Sequence, residues 1–128
     1  MPHRIESLRK NLDRLETDFD TLASSIPQLA WMADAEGNIF WYNQRWYDFT
    51  GTELDDVEGW KWQSVHHPDH VDRVVAKVKQ SFAAQLPWED LFPLRSADGV
   101  YRWFLTRARP VRDENGKVAR WFGTNTDV

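Results

Sequence analysis

The feature that most constrains this chain is a change of hydrophobic period at Pro27. Before it, in RIESLRKNLDRLETDFDTLASSI, the apolar residues Ile5, Leu8, Leu12, Leu15, Phe19, Leu22 and Ile26 occupy successive a and d places of a heptad. Such spacing puts all of them on one side of an α-helix, and about three heptads make a seam for another helix or an apolar surface. The seam has two uses: packing on the chain's own domain, or pairing with a second copy. In a parallel pair Arg4, at a g place, would face the partner's Arg9 and repel it. Pairing through a larger domain surface, with the helix as one part of it, is therefore the expectation.

Beyond Pro27 the spacing shortens to strand alternation. QLAWMAD is short and apolar, Ala35-Glu36-Gly37-Asn38 is a turn signal and IFWYN follows, so residues 28–43 read as a hairpin. Residues 44–50 form a short helix that stops at Gly51, Thr52 offers a cap for ELDDV, and WQSVHH is a further short helix. Pro68 suits the first turn of a longer helix to about Ala84, buried along Val71, Val74, Val75, Val78 and Phe82. Strands at 88–95, 100–110 and 117–127 close the chain. They are joined by Ser96-Ala97-Asp98-Gly99 and Asp113-Glu114-Asn115-Gly116, with glycine where a positive φ is needed. Five antiparallel strands with short helices on one face make an α+β domain at 26–128, preceded by the helix at 1–25.

Composition removes several functions. With 41% hydrophobic and 14% aromatic residues the chain can build a core, and its eight tryptophans will dominate the packing. The net charge is -4 with both signs interspersed and no basic stripe, which argues against nucleic acid. The absence of cysteine excludes disulfides, thiol catalysis and thiolate metal sites, and fits a reducing, cytoplasmic setting. No apolar run approaches the roughly 18 residues of a membrane span. There is no phosphate loop, nucleophile elbow or kinase motif, so no catalytic activity of its own is expected.

The ordered stretches IPQLAWMADAEGNIFWYNQRWYDFTG, GWKWQSVHHPDH and PWEDLFPLRSADGVYRWFLTRARPVRDENGKVARWFGTNTDV resemble PAS domains of bacterial sensor proteins, over residues 26–128. The resemblance implies a PAS fold and a role in sensing or signal relay. It implies no particular ligand, since one fold hosts many functions. PAS domains also carry N-terminal helices and end in an Asp-Ile-Thr-like element that leads to an output module. Asp127-Val128 match its first two positions. The chain thus reads as the sensor piece of a longer protein, cut at its output junction, Asp127, with a histidine kinase or a diguanylate cyclase as the usual continuation.

Alternation assigns faces to the closing strands. Trp88, Asp90, Phe92 and Leu94 share one side; so do Phe104, Thr106 and Ala108, and Trp121, Gly123 and Asn125. Similarity to flavin-binding LOV members implies that these sets face the interior. Without a cysteine, and with Leu94 and Phe104 where cavity amides are expected, LOV photochemistry is excluded. Asn125 alone stands at the position of the flavin-sensing glutamine. The interior is then bulky and apolar, lined by Trp31, Trp41, Trp46 and Phe49 from the first half and by Trp62, Phe92, Phe104 and Trp121 from the second. Asn43, Asp90, Thr106 and Asn125 are its polar candidates. Either the rings fill the space, or they box a small ligand that Asp90 and Asn125 orient. An inward Asp90 must find a partner, an indole or a guanidinium inside the fold or a cationic ligand. No cofactor is assigned; haem, with His66 or His67 as axial ligand, belongs to the receptor alternative.

His66-His67-Pro68-Asp69-His70 tempts as a metal site, but adjacent imidazoles diverge and Pro68 breaks the helix that would align His66 with His70. Helix initiation is the better use of this unit, and no metal is assigned. The opposite sheet face, with Met32, Phe40, Tyr42, Leu91, Trp103, Leu105 and Phe122, is also apolar, and an isolated domain should not expose it. A homodimer is expected in which the N-terminal helix and the surface around Trp103, Leu105 and Phe122 form the interface. The whole reads as a non-catalytic sensory and dimerisation module, with a small-molecule receptor domain as the alternative and an enzyme built on the acidic and histidine cluster as the least favoured.

Overall fold

The structure is a computed structural model that describes residues 2–128. Within the first helix the side chains of residues 2–4, 12, 13, 15–20 and 24 lie outside the described set, and with them the seam positions Leu12, Leu15 and Phe19. Helix α1 spans Pro2–Ser25. Its described seam residues Ile5, Leu8 and Leu22 are 59%, 58% and 68% exposed, so the helix does not bury them on its own domain. Among its described residues Ala23, near its end, is buried.

Strands β1 (Leu29–Asp34), β2 (Ile39–Tyr42), β3 (Trp88–Arg95), β4 (Tyr101–Arg112) and β5 (Val118–Asp127) form one antiparallel sheet. The spatial order is β2-β1-β5-β4-β3, so the last strand lies between the first and the fourth. With a ladder on each side, β5 is held along its length to Asp127. Pro93 sits in β3, an edge strand, where a missing N–H is tolerated. Gly99 and Gly116 take φ of 86° and 80° in the two closing turns.

The faces of β3, β4 and β5 follow simple alternation. Those of β2 do not. Its register against β1 shifts between Met32 and Ala33, an irregularity that adds a residue to the strand. Trp41 pairs with Met32 on the outer face, and Tyr42 pairs with Trp31 on the inner one. Trp41 is thus not an interior residue and Tyr42 not an outer one: a bulge displaces every side chain beyond it to the other face. The Tyr42 hydroxyl donates to the Val57 carbonyl at 2.8 Å inside the fold.

Helices cover one face of the sheet. Helix α2 (Gln44–Thr50) starts at Asn43 and stops at Gly51 in the left-handed region, φ 68°. Helix α3 (Leu54–Val57) opens with a capping box between Glu53 and Asp56, while Thr52 pairs instead with the Thr50 hydroxyl at 2.7 Å. A 3₁₀ turn, Lys61–Val65, ends before His66, which bridges to Leu94 of β3. Helix α4 (Pro68–Ala84) starts with Pro68 in its first turn, and the His67 imidazole accepts the Asp69 N–H at 3.1 Å. Val74 and Val78 of α4 are buried in the core, each contributing about 1.5–3 kcal/mol.

Candidate functional site

The pocket lies between the inner sheet face and the helices, and Thr106 and Asn125 are the polar strand residues of its lining; Asp90 continues their row outside it. Asp90 pairs with Thr106 across β3 and β4, and Thr106 pairs with Asn125 across β4 and β5. Directly opposed residues of one face stand within side-chain reach of each other. Trp31 of β1 lies flat over Gly123, where a β-carbon would come within 2.1 Å of its ring. Only glycine leaves that space. The indole N–H of Trp31 then donates to Asn125 Oδ1 at 3.0 Å.

Aromatic rings form the walls. Trp62 meets His66 at 4.9 Å between centroids, and His66 meets Phe92 at 4.6 Å. Phe92 stacks on Trp88 at 5.9 Å and 12°, and Trp88 leans on Trp31 at 6.5 Å. Trp46, Ile39, Val78 and Phe82 complete the lining. The space measures about 30 Å³ and is partly open. That admits about two water-sized groups, whereas cofactor pockets run to roughly 300–1,000 Å³. A haem does not fit this space.

The polar atoms around it are poorly met. The buried atoms Trp46 Nε1, His66 Nδ1, Trp88 Nε1, Asp90 Oδ2, Thr106 Oγ1 and Trp121 Nε1 have no hydrogen-bond partner. Trp46, His66, Trp88 and Thr106 all line the pocket. Burial pushes the His66 imidazole down to about 3, with Arg73 acting in the same sense and Asp90 against it. His66 is therefore neutral, and its rings of contact are apolar.

The structure sends the sequence candidates to different places. Trp31, Trp46, Trp62, Phe92, Thr106 and Asn125 line the pocket. Trp121 is fully buried behind it, against Phe82 at 4.3 Å. Phe49 and Phe104 meet edge to face at 5.0 Å and line a second cleft of about 350 Å³, shared with Pro27, Leu29, Arg45, Asp48 and Asp127. Asn43 is no pocket residue. Its Oδ1 accepts from the N–H groups of Ala30 and Trp46, at 3.0 and 3.1 Å, and its Nδ2 donates to the carbonyls of Ala23 and Gln28, both at 3.0 Å. Asp90 is inward and paired, but its guanidinium comes from the half-exposed edge of the fold: Arg73 of α4 approaches Oδ1 at 2.9 Å, and Lys77 stands at 3.9 Å. The Leu91 N–H also donates to that oxygen at 2.8 Å.

Six lining residues, Gly37, Ile39, His66, Val78, Phe82 and Trp88, were absent from the sequence's cavity candidates, His66 having been named there only as a haem ligand. Trp88 carried the signal, since alternation placed it beside Asp90 and Phe92. His66 carried none, because its inward turn follows from the bridge to Leu94. His67 points instead to Tyr101, at 4.7 Å, and His70 to Trp103, at 5.3 Å. His66 therefore parts from His67 and His70, whose rings stand 5.7 Å apart, and among the described residues no three His, Asp or Glu side chains gather as a metal site would need.

The family model for the PAS fold matches residues 38–125, and the chain belongs to that family. It is 34% identical over 108 residues to the uncharacterized protein y4lL of Sinorhizobium fredii, covering 84% of this chain and 13% of that one. It is 31% identical over 108 residues to the peroxide stress-activated histidine kinase mak1 of Schizosaccharomyces pombe, covering 84% and 6%. The chain thus spans a small part of these relatives. Among solved structures, the PAS domain of a Colwellia psychrerythraea protein superposes with a TM-score of 0.70 at 18% identity, covering 89% of this chain and 97% of that one. Among the described residues no helix is long and apolar enough to cross a membrane.

Proposed function

We propose that the chain is a non-catalytic sensory relay module that pairs with a second copy and passes a signal to a C-terminal output domain, of histidine-kinase type. The observation that carries this reading is the position of β5. One face of it supplies the pocket floor through Gly123 and Asn125, and its end, Asp127, lies on the cleft shared with Pro27. Gln28, just after the helix, donates to the Thr126 hydroxyl at 3.3 Å. The incoming helix, the pocket floor and the outgoing strand are therefore one mechanical unit, and a shift in the floor moves both ends of the domain. Likeness to a histidine kinase supports the output type.

Pairing is supported by apolar surface. Phe40, Leu91 and Trp103 are 47%, 47% and 45% exposed on the outer sheet face, beside Leu105 and Phe122, and Ile5, Leu8 and Leu22 are exposed on α1. Sedimentation of the chain without residues 1–25 should show a weakened dimer; an unchanged dimer contradicts this use of the helix. The relay is tested by Asp127→Ala in the full-length parent. Output activity should change while the domain's melting temperature holds, because the Asp127 side chain is exposed and its ion pair with Arg102, at 3.9 Å, is a surface one. Equal loss of both makes Asp127 an ordinary structural residue.

A second reading, a receptor for a small molecule, is favoured by the unmet polar atoms of the pocket.

A further inference from the structure

We propose that the outer sheet face receives helix α1 of a second copy, with the acidic half of that helix, residues 13–20, over Arg109 and Arg120. The inference rests on the pairing reading and names which surface of one copy meets which surface of the other.

Both surfaces are open within one chain. The described seam residues Ile5, Leu8 and Leu22 of α1 are exposed, and so are Phe40, Leu91 and Trp103 of the outer face, so neither set covers the other there. The two also match in size. Helix α1 has 24 residues, a length of roughly 36 Å. Five strands about 4.8 Å apart are roughly 19 Å across between the outermost two, so one such helix crosses the whole sheet. A free-standing parallel zipper, by contrast, sets Arg4 against Arg9.

Charge decides the occupant. Arg109 stands opposite Phe122 and Arg120 opposite Val111, so the two arginines are diagonal neighbours on the outer face, roughly 7–8 Å apart. The carboxylates at this end of the face are committed elsewhere. Glu89 holds Arg107 at 3.1 Å, and Asp34, opposite Arg120 in the ladder, accepts from the N–H groups of Glu36 and Asn38 at 3.0 and 2.9 Å. Among the described residues the guanidinium groups of Arg109 and Arg120 have no partner. Arg107 and Arg109 also border an open cleft of about 790 Å³ beside the exposed Leu86, so this end of the face has room for a further element. Helix α1 carries the opposite sign. Residues 11–25 hold Asp13, Glu16, Asp18 and Asp20 against Arg14 alone, while residues 2–10 hold Arg4, Arg9 and Lys10 against Glu6. By heptad place Glu16 is e and Asp18 is g, so they flank the seam on its two sides. An apolar stripe edged by carboxylates suits an apolar face edged by guanidinium groups, and the basic half of the helix in that place would be repelled.

The test is sedimentation equilibrium of the 128-residue chain and of two charge variants. Arg109→Glu with Arg120→Glu puts carboxylates on the face, and Glu16→Arg with Asp18→Arg puts cations on the helix. Each variant alone opposes like charges at both contacts of a symmetric dimer and should weaken it by about tenfold or more. An equimolar mixture of the two restores both contacts across the chains and should dimerise within about threefold of the unaltered protein. Arg109 and Arg120 are exposed, so the face variant keeps the fold, which its melting temperature checks. Recovery in the mixture itself requires both chains to be folded. A face variant that dimerises as tightly as the unaltered protein overturns the inference and leaves the pairing reading standing, with helix on helix or face on face. A mixture no tighter than either variant also overturns it, because the contact then does not run from one chain to the other. An unaltered chain that stays monomeric overturns the inference and the pairing reading together.

Discussion

Asn43 and Thr106 are both buried polar side chains, 1% and 0% exposed. Asn43 uses all four of its hydrogen-bonding capacities, two accepting and two donating, and in doing so ties the end of α1, strand β1 and helix α2 together. Thr106 uses none that the protein supplies. A fold normally satisfies its buried polar groups, since each orphan costs on the order of 1–3 kcal/mol. The Asn43 region obeys that rule because its polar atoms build the scaffold. The pocket region breaks it at several neighbouring positions at once, which is the pattern of a site kept for something other than stability.

The comparison is broken most severely at Asn43. Asn43→Ala removes the α2 cap and leaves two N–H groups and two carbonyls without that partner, at a cost on the order of 3–4 kcal/mol in denaturant unfolding. A loss below about 1 kcal/mol means that water replaces the amide and that the scaffold role is absent.

Acid should probe the pocket side next. The unfolded His66 takes up a proton below about 6.5, while the folded one, facing Asp90 and Arg73 inside the ring wall, resists protonation until about 3. Its contribution to stability is present above pH 6.5 and is lost as pH falls, at about 1.4 kcal/mol per pH unit, levelling near pH 3. His66→Phe keeps a ring in the wall and should flatten that part of the stability curve. An unchanged slope places the titration elsewhere.

Gly123→Ala is a smaller perturbation. The new methyl would push the Trp31 ring off β5 and break its bond to Asn125, costing about 2 kcal/mol by overpacking and altering tryptophan fluorescence. A neutral result means that Trp31 already has room to move.

The contrast between these regions also marks what could be read in the sequence. Period and turn chemistry placed the five strands, α2 and α4, simple alternation grouped Asp90, Thr106 and Asn125 each with its own strand's set, and the resemblance to LOV domains turned those sets inward. These are local rules with local signals. The bulge in β2 was invisible, because the residue that shifts register depends on pairing with β1, and so Trp41 and Tyr42 exchanged faces. Asn43 was taken for a pocket amide because a helix cap and a ligand amide look alike in sequence; only its four partners, three of them 13 to 20 residues away, distinguish them. His66 turned inward through a bridge to Leu94, a contact 28 positions away that no spacing encodes. Asp90 announced that it needed a partner, but not that Arg73 on α4 would supply it.

The sharpest test is the unfolding free energy of Thr106→Val. This substitution removes one buried hydroxyl and changes little else. If Thr106 serves a guest and not the fold, valine should raise stability by about 1 kcal/mol, because an unmet polar group becomes an apolar one in an apolar site. A loss of about that size would show that the hydroxyl is already satisfied within the folded protein, and the distinction between scaffold and pocket polar groups would not hold.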